Sequence, residues 1–374
     1  MRSIAAAWGA TTGAFASVQF ATPLPGTALA ARARERGRRV LPLIDDFGPH
    51  FQREPSLETD EASLAELAAF RAAYDERVRA ADEPPGVRLF VTHRCNNRCS
   101  FCVVGTGPQV DGRVDEQLAA LRSHRRAGSR RLELTGGEPT LSSTLFGLIA
   151  EARRLGYDDV TLLTNGRMAS YAPFATRLAE SGVTRVVVSL HGADAATHAA
   201  HVGVDEGFDQ ACAGLAELAR RRLPGLELGV ACAVTARTSS SLRDVAELAI
   251  SLGARRLSLQ ALFGFGPGSV ELAVEPATVG ALAVEVADAT RDRLSVRVEN
   301  LPRCFVSGRP ELVDPPSRWV DVGDRSGHAH ARRERRPPCE GCVHAVGCAG
   351  FVVLDDTRPA WRASSEVALR VARQ

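Results

Sequence analysis

The sequence predicts an α/β fold, a parallel sheet wound with helices and arranged as an open, partial (β/α)6 barrel. Three observations carry this. From Val87 to about residue 292, short apolar runs alternate with amphipathic stretches. Six such pairs follow one another, and right-handed crossovers turn them into one parallel sheet. Each apolar run also stops at a polar or glycine-rich loop, as in folds that keep their chemistry at the strand C-termini. Six units fall short of the eight that close a full barrel, hence the open form.

Strands are expected at 87–92, 130–135, 159–164, 184–190, 226–234 and 255–262. They are rich in Val and Leu, as parallel strands buried on both faces should be. Helices are expected at 113–127, 141–155, 171–181, 208–222, 239–252 and 275–292. Residues 86–300 thus form the core domain. Residues 1–85 are an N-terminal cap or recognition region, with a short strand at 40–44 and an amphipathic helix from about 56 to 81. Asp82–Gly86, with two prolines, serves as the linker. Residues 301–374 form a Cys-rich region with abundant Pro and Gly, and its basic run from Arg332 to Arg336 is expected to be a solvated loop.

Composition narrows the function. The 374 residues are 45% hydrophobic and 24% charged, enough for a real core. A net charge of +2 gives no pull toward nucleic acid or an anionic membrane, and neither partner is expected. No run approaches the roughly 18–20 apolar residues of a membrane span. The first ten residues faintly resemble a signal peptide, but Gly9, Thr11, Thr12 and Gly13 interrupt the apolar region, so it is taken as part of the mature chain. All 46 basic residues are arginine, which removes lysine Schiff-base chemistry.

The nine cysteines are odd in number and fall largely into two groups. That favours metal in a reducing compartment, the cytoplasm, over a disulfide scaffold. Cys212 and Cys232 read as small core residues. Cys95, Cys99 and Cys102 follow the first apolar run on one tight loop. Four cysteines would close a [4Fe–4S] cube, so three leave one iron open to a substrate or cofactor. Zinc, with His93 as a fourth ligand, is the alternative for this loop alone.

The next strand ends in Gly136-Gly137-Glu138-Pro139, the third in Thr164-Asn165-Gly166, and the fourth in Ser189 and His191, while the sixth carries Gln260. With Phe101 just before the last cysteine, this set resembles the radical S-adenosylmethionine (radical SAM) superfamily from residue 87 to about 262. The resemblance implies that Cys95, Cys99 and Cys102 hold a catalytic [4Fe–4S] cluster whose open iron binds SAM. It places Gly136, Gly137, Glu138 and Pro139 at the methionine end, and Phe101 near the adenine. Asn165, Ser189 and Gln260 complete the cofactor contacts. One electron, from a donor such as flavodoxin or ferredoxin, then cleaves SAM to a 5′-deoxyadenosyl radical that abstracts a substrate hydrogen. His191 faces the same mouth, as a substrate contact or a packed residue.

Cys339, Cys342 and Cys348, with Cys304 upstream, make four further candidate ligands. Four thiolates close either a zinc site or a [4Fe–4S] cluster, and spacing does not decide between them. The arrangement resembles the SPASM or twitch extensions of radical SAM peptide maturases, and short motifs resemble maturases of the His-Xaa-Ser system. That resemblance implies one auxiliary [4Fe–4S] cluster and a ribosomally made peptide as substrate. A small molecule or RNA is the alternative substrate, and a non-catalytic metal-binding partner protein the alternative of another class.

Overall fold

The computed structural model describes residues 31, 32, 35, 36, 84–107, 109–221, 223–262, 269–306, 308–313, 319–324, 332–334, 339, 348 and 350–353. The expected strand at 40–44, the expected helix at 56–81 and Cys342 lie outside them. The chain divides into two compact units, residues 1–82 with 335–350 and residues 83–334 with 351–374.

The larger unit is the partial barrel. Its first six strands are β1 (Gly86–Thr92), β2 (Arg131–Gly136), β3 (Asp159–Thr164), β4 (Arg185–Ser189), β5 (Glu227–Val234) and β6 (Arg256–Ala261). The longer helices are α1 (Val114–Arg126), α2 (Leu145–Leu155), α3 (Ala172–Ala179), α4 (Ala195–Val202), α5 (Gly207–Arg221), α6 (Leu242–Ser251) and α7 (Pro276–Ala289). The six strands and six helices predicted between residues 87 and 292 are present within a few residues of their expected bounds. Two further strands extend the sheet, β7 (Ser295–Glu299) beside β6 and β8 (Trp319–Val322) beside β1. The eight strands run β7-β6-β5-β4-β3-β2-β1-β8, every neighbouring pair parallel.

One expectation changes. The strands are not apolar on both faces. Val87, Leu89, Leu132, Leu134, Val160, Leu162, Val186, Val188, Leu257 and Leu259 point to the helices and form the core. Full burial of each is worth about 1.5–3 kcal/mol. The opposite face carries charged, half-buried side chains toward the strand starts, beside buried Phe90, Val187 and Ala231. Asp159, Arg185, Glu227 and Arg256 form a ladder across β3 to β6, with N···O distances of 3.2, 2.9 and 3.0 Å. Arg88 pairs with Glu133 and Asp321 across β2, β1 and β8. Period-2 alternation sends these side chains to the face opposite the helices.

The basic run is also different from its expectation. Arg332–Glu334 (β9) pairs antiparallel with Phe351–Val353 (β10). Phe and two β-branched valines supply a good strand partner, so the segment gains a ladder that its own composition did not announce. In the smaller unit, Cys339 and Cys348 are half-buried, and Gly350 N–H donates to Cys348 Sγ at 3.4 Å.

Candidate active site

Because the sheet is parallel, the loops after β1 to β6 gather at one end. The loop after β1 carries Cys95, Cys99 and Cys102, all half-buried free thiols. Its course is fixed from two sides. On one side it closes the C-terminus of α4. Helix ends leave carbonyls without intrahelical partners. Here Arg98 N–H donates to Val202 O at 2.8 Å and Ser100 N–H to His201 O at 2.9 Å, while the Arg98 guanidinium donates to Gly203 O at 2.7 Å. Helix α4 had no counterpart among the predicted elements. Its available signals were the capping residue Asp194, which accepts from Thr197 N–H at 2.8 Å, and Gly203, which ends it at φ +66°.

On the other side stands the loop after β3. Asn165 Nδ2 donates to Asn96 Oδ1 at 2.7 Å. Arg167 Nη1 donates to the Asn96 carbonyl and, at 3.0 Å, to Asn97 Oδ1. Its Nε donates to Gln210 Oε1 on α5 at 2.6 Å. This side chain was not among the expected site residues.

The Gly136-Gly137-Glu138-Pro139 loop lies against the start of the cysteine loop. Gly137 N–H donates to Thr92 O at 2.7 Å and Glu138 N–H to Arg94 O at 2.8 Å. A Cβ on Gly136 would meet Thr92 O at 2.2 Å, and one on Gly137 would meet Arg94 O at the same distance. The glycines therefore let two backbones touch. Glu138 is fully buried. It accepts from Thr140 N–H at 3.0 Å, Thr140 Oγ1 at 2.6 Å, Thr164 Oγ1 at 2.7 Å and Asn165 N–H at 2.6 Å. Burial raises its carboxyl pKa, and these hydrogen bonds oppose the rise. The carboxylate ties together the loops after β2 and β3, while Pro139, also buried, opens the 3-10 turn that follows.

Phe101 stands against two of three clustered histidines. Its ring is edge-on to His191 at 5.0 Å between centroids and 6.0 Å from His201, and His191 stacks on His198 at 6.1 Å. Burial keeps all three neutral, with His191 lowered to about 3 and His198 to about 4. Their Nδ1 atoms are in use. His191 Nδ1 accepts from Ala233 N–H and His198 Nδ1 from His191 N–H, both at 3.1 Å. His201 Nδ1 lies 2.7 Å from Thr197 O, so it carries the proton and Nε2 accepts from Thr235 Oγ1 at 2.9 Å. His191 is thus a packed residue that fixes the end of β4 against β5. Ser189 ends β4, and Gln260 on β6 lies 3.5 Å from Glu299 of β7.

The donor set fits an iron–sulfur cluster. Burial first, then the charges of Glu138 and Cys102, pushes the Cys95 thiol up to about 11, and burial followed by the charges of Cys102 and Cys95 pushes the Cys99 thiol up to about 12. Three neighbouring thiolates therefore require a cationic centre to form. Asn97 N–H already donates to Cys95 Sγ at 3.4 Å and Gly105 N–H to Cys102 Sγ at 3.2 Å, bonds that support thiolate sulfur. Among the described residues no three His, Cys, Asp or Glu side chains are drawn to metal-ligand spacing. Cys304 is exposed on a 3-10 turn of the larger unit, whereas Cys339 and Cys348 belong to the smaller one.

Residues 89–250 match the model of the Radical SAM superfamily. That span is a little under half of the chain, and the cysteine loop, the Gly-Gly-Glu-Pro loop and the Thr-Asn-Gly loop all lie inside it.

Its curated relatives include a probable GTP 3′,8-cyclase of Metallosphaera sedula, 30% identical over 191 residues, covering 49% of this chain and 57% of that protein. The probable GTP 3′,8-cyclase of Sulfurisphaera tokodaii is 32% identical over 184 residues, with 49% and 57% covered. The chain thus spans a little over half the length of these relatives. Among solved structures, the FeFe-hydrogenase maturase HydG from Carboxydothermus hydrogenoformans shares the fold, at TM-score 0.50 and 13% identity over 84% of this chain and 72% of that one. Streptococcus suis SuiB bound to its precursor peptide SuiA gives a TM-score of 0.49 at 17% identity, over 81% of this chain and 62% of that one. Among the described residues no helix is long and apolar enough to cross a membrane.

Proposed function

We propose that Cys95, Cys99 and Cys102 hold a [4Fe–4S] cluster that binds SAM, and that the enzyme abstracts a hydrogen atom from a ribosomally made peptide. The observation that carries the first part is the direct seating of the Gly136-Gly137-Glu138 loop on the cysteine loop, through Thr92 and Arg94. Two independent signature loops are thereby held side by side. When bound, the cluster and SAM supply a 5′-deoxyadenosyl radical after one electron arrives from a donor such as flavodoxin or ferredoxin.

The chain's own residues do the rest. The three cysteines would leave one iron position open to SAM, and Gly136, Gly137, Glu138 and Pro139 would take its methionine end. Phe101, backed by neutral histidines, offers the adenine an apolar face that takes up no proton. Ser189, Asn165 and Gln260 line the strand ends around it as polar cofactor contacts.

The peptide substrate rests on the C-terminal cysteines. Cys304, Cys339, Cys342 and Cys348 are the ligands of one auxiliary [4Fe–4S] cluster in this proposal. The N–H···S bond from Gly350 to Cys348 is the kind of contact such a ligand uses. A second reading, a nucleotide substrate, is favoured by the curated relatives, whose names are those of GTP cyclases.

Anaerobic reconstitution of the full chain tests the whole. About eight irons per chain are expected, roughly four for each cluster, and SAM should alter the spectrum of one cluster only. 5′-Deoxyadenosine should form with SAM and dithionite, and Cys99→Ala should abolish it. Four irons that never respond to SAM would overturn the cluster assignment. Turnover of GTP, with no mass change in candidate precursor peptides, would favour the nucleotide.

A further inference from the structure

Arg167 joins three elements at one point. It follows the Thr164-Asn165-Gly166 turn after β3. Its guanidinium reaches Asn96 O and Asn97 Oδ1, both between Cys95 and Cys99. Gln210, in the first turn of α5, holds Nε from behind at 2.6 Å. The backbone of Arg167 is itself pinned, since its N–H donates to Asn165 Oδ1 at 3.0 Å, and Asn165 in turn grips Asn96. The turn cannot drift away from α5. A Cβ on Gly214 would meet Gly166 O at 2.2 Å, so helix and turn touch backbone to backbone.

We propose that Arg167 is a positioning residue for the cluster. It fixes the course of the chain between the first two ligands and holds a permanent positive charge beside Cys95.

The inference rests on the radical SAM reading of the cysteines and goes beyond it. Arginine suits both parts. Its planar fork gives two donors in a fixed relation, and it does not lose its charge. The charge sits against the ligand loop, because the guanidinium is hydrogen-bonded to Asn96 O and Asn97 Oδ1, the two residues that follow Cys95. Net charge, hydrogen bonds and exposure set the potential of an iron–sulfur cluster, and groups outside the ligand set commonly tune it. A reduced cluster carries one more negative charge than an oxidised one. A fixed cation nearby therefore stabilises the reduced form more and raises the potential. Gln210 keeps the fork turned toward the loop, where an untethered arginine would swing into solvent.

Three variants of the full chain separate the two parts. Arg167→Gln removes the charge, Arg167→Lys keeps the charge without the fork, and Gln210→Ala keeps both without the tether. The first measurement is hydrogen exchange on the chain without iron, at the Asn97, Arg98 and Ser100 amides. Exchange should rise severalfold in both Arg167 variants and less in Gln210→Ala. The second is an EPR-monitored redox titration of the reconstituted SAM-responsive cluster. The midpoint should move to more negative potential in Arg167→Gln and stay near that of the parent in Arg167→Lys.

Unchanged loop exchange in both Arg167 variants overturns the positioning role, and an unchanged midpoint in Arg167→Gln overturns the electrostatic one. If Arg167→Gln fails to fold, Gln210→Ala still reads the tether by both measurements. A parent chain that forms no SAM-responsive cluster refutes the radical SAM assignment instead, and the exchange data still decide whether Arg167 orders the loop.

Discussion

Glu138 Oε2 accepts the backbone N–H of Asn165 at 2.6 Å, and that bond makes the loop after β2 the anchor of the loop after β3. The same Asn165 grips Asn96 within the cysteine loop. Three strand-end loops are thereby linked through one buried carboxylate and one amide.

Glu138→Gln should break this link while changing little in shape. One carboxylate oxygen becomes an NH2 group. Placed at Oε2 it faces the Asn165 N–H, and placed at Oε1 it faces the donors on Thr140 and Thr164. Either way a buried donor loses its acceptor, at a cost of about 1–3 kcal/mol. The denaturation midpoint in urea should fall accordingly. A midpoint equal to that of the parent would show that the carboxylate does not hold the loops.

Two glycine-to-alanine changes in helices should have opposite signs. Gly147 lies on the exposed face of α2, and a Cβ there meets nothing within 4 Å. Replacing it removes backbone freedom from the unfolded chain and should stabilise by about 0.5–1 kcal/mol. Gly214→Ala gains the same propensity but drives a methyl group into the Gly166 carbonyl at 2.2 Å. Backbone cannot give way as a side chain can. Overpacking costs about 1–3 kcal/mol, so the net effect should be destabilising. Thermal unfolding of both variants beside the parent decides it, and a stabilised Gly214→Ala would refute the close contact between α5 and the turn.

The barrel was legible in the sequence because its strands and helices each satisfy local rules. Leu132 and Leu134, like Val160 and Leu162, carry the apolar alternation, and the loops between carry turn residues. The three cysteines and Gly136-Gly137-Glu138-Pro139 were legible as well, because a motif is a local pattern. What stayed hidden depends on tertiary partners. Helix α4 is short and Ala-rich, with two buried histidines that blur its apolar face. Strand β8 is a strand because β1 offers it an edge, with Trp319 laid over Gly86. Arg167 looks like any arginine after a turn until Asn96, Asn97 and Gln210 arrive from other elements. The same holds for Glu138, whose partners are fixed only when β2 and β3 lie side by side.

Gly203→Ala tests the seam between α4 and the cysteine loop. Gly203 ends the helix at φ +66°, and a Cβ would lie 3.1 Å from Arg98 O. The left-handed backbone and the close carbonyl act in the same direction, and the change should cost about 1 kcal/mol or somewhat more. The melting temperature should drop by roughly 2–4 °C, and the amides of Arg98 and Ser100 should exchange faster. If those amides keep their protection, the loop is held by the Arg167 side alone.

The histidine wall behind Phe101 should make the fold sensitive to mild acid. In the folded chain His198 takes up a proton only near pH 4 and His191 only near pH 3, against an ordinary value of 6.5. The unfolded chain therefore binds more protons between 6.5 and those values, and stability must rise with pH across that window. The contribution is complete above pH 6.5 and is lost progressively as the pH falls toward 4 and then 3. His198→Asn isolates it, since Asn Oδ1 can still accept the His191 N–H but does not titrate. Thermal unfolding from pH 7.5 to 4.5 should show a shallower decline in this variant than in the parent, whatever its stability at neutral pH. Carboxylates contribute to both curves alike and cancel in the comparison. Parallel curves would mean that His198 is not held neutral, and that His191 stacks on a charged ring instead.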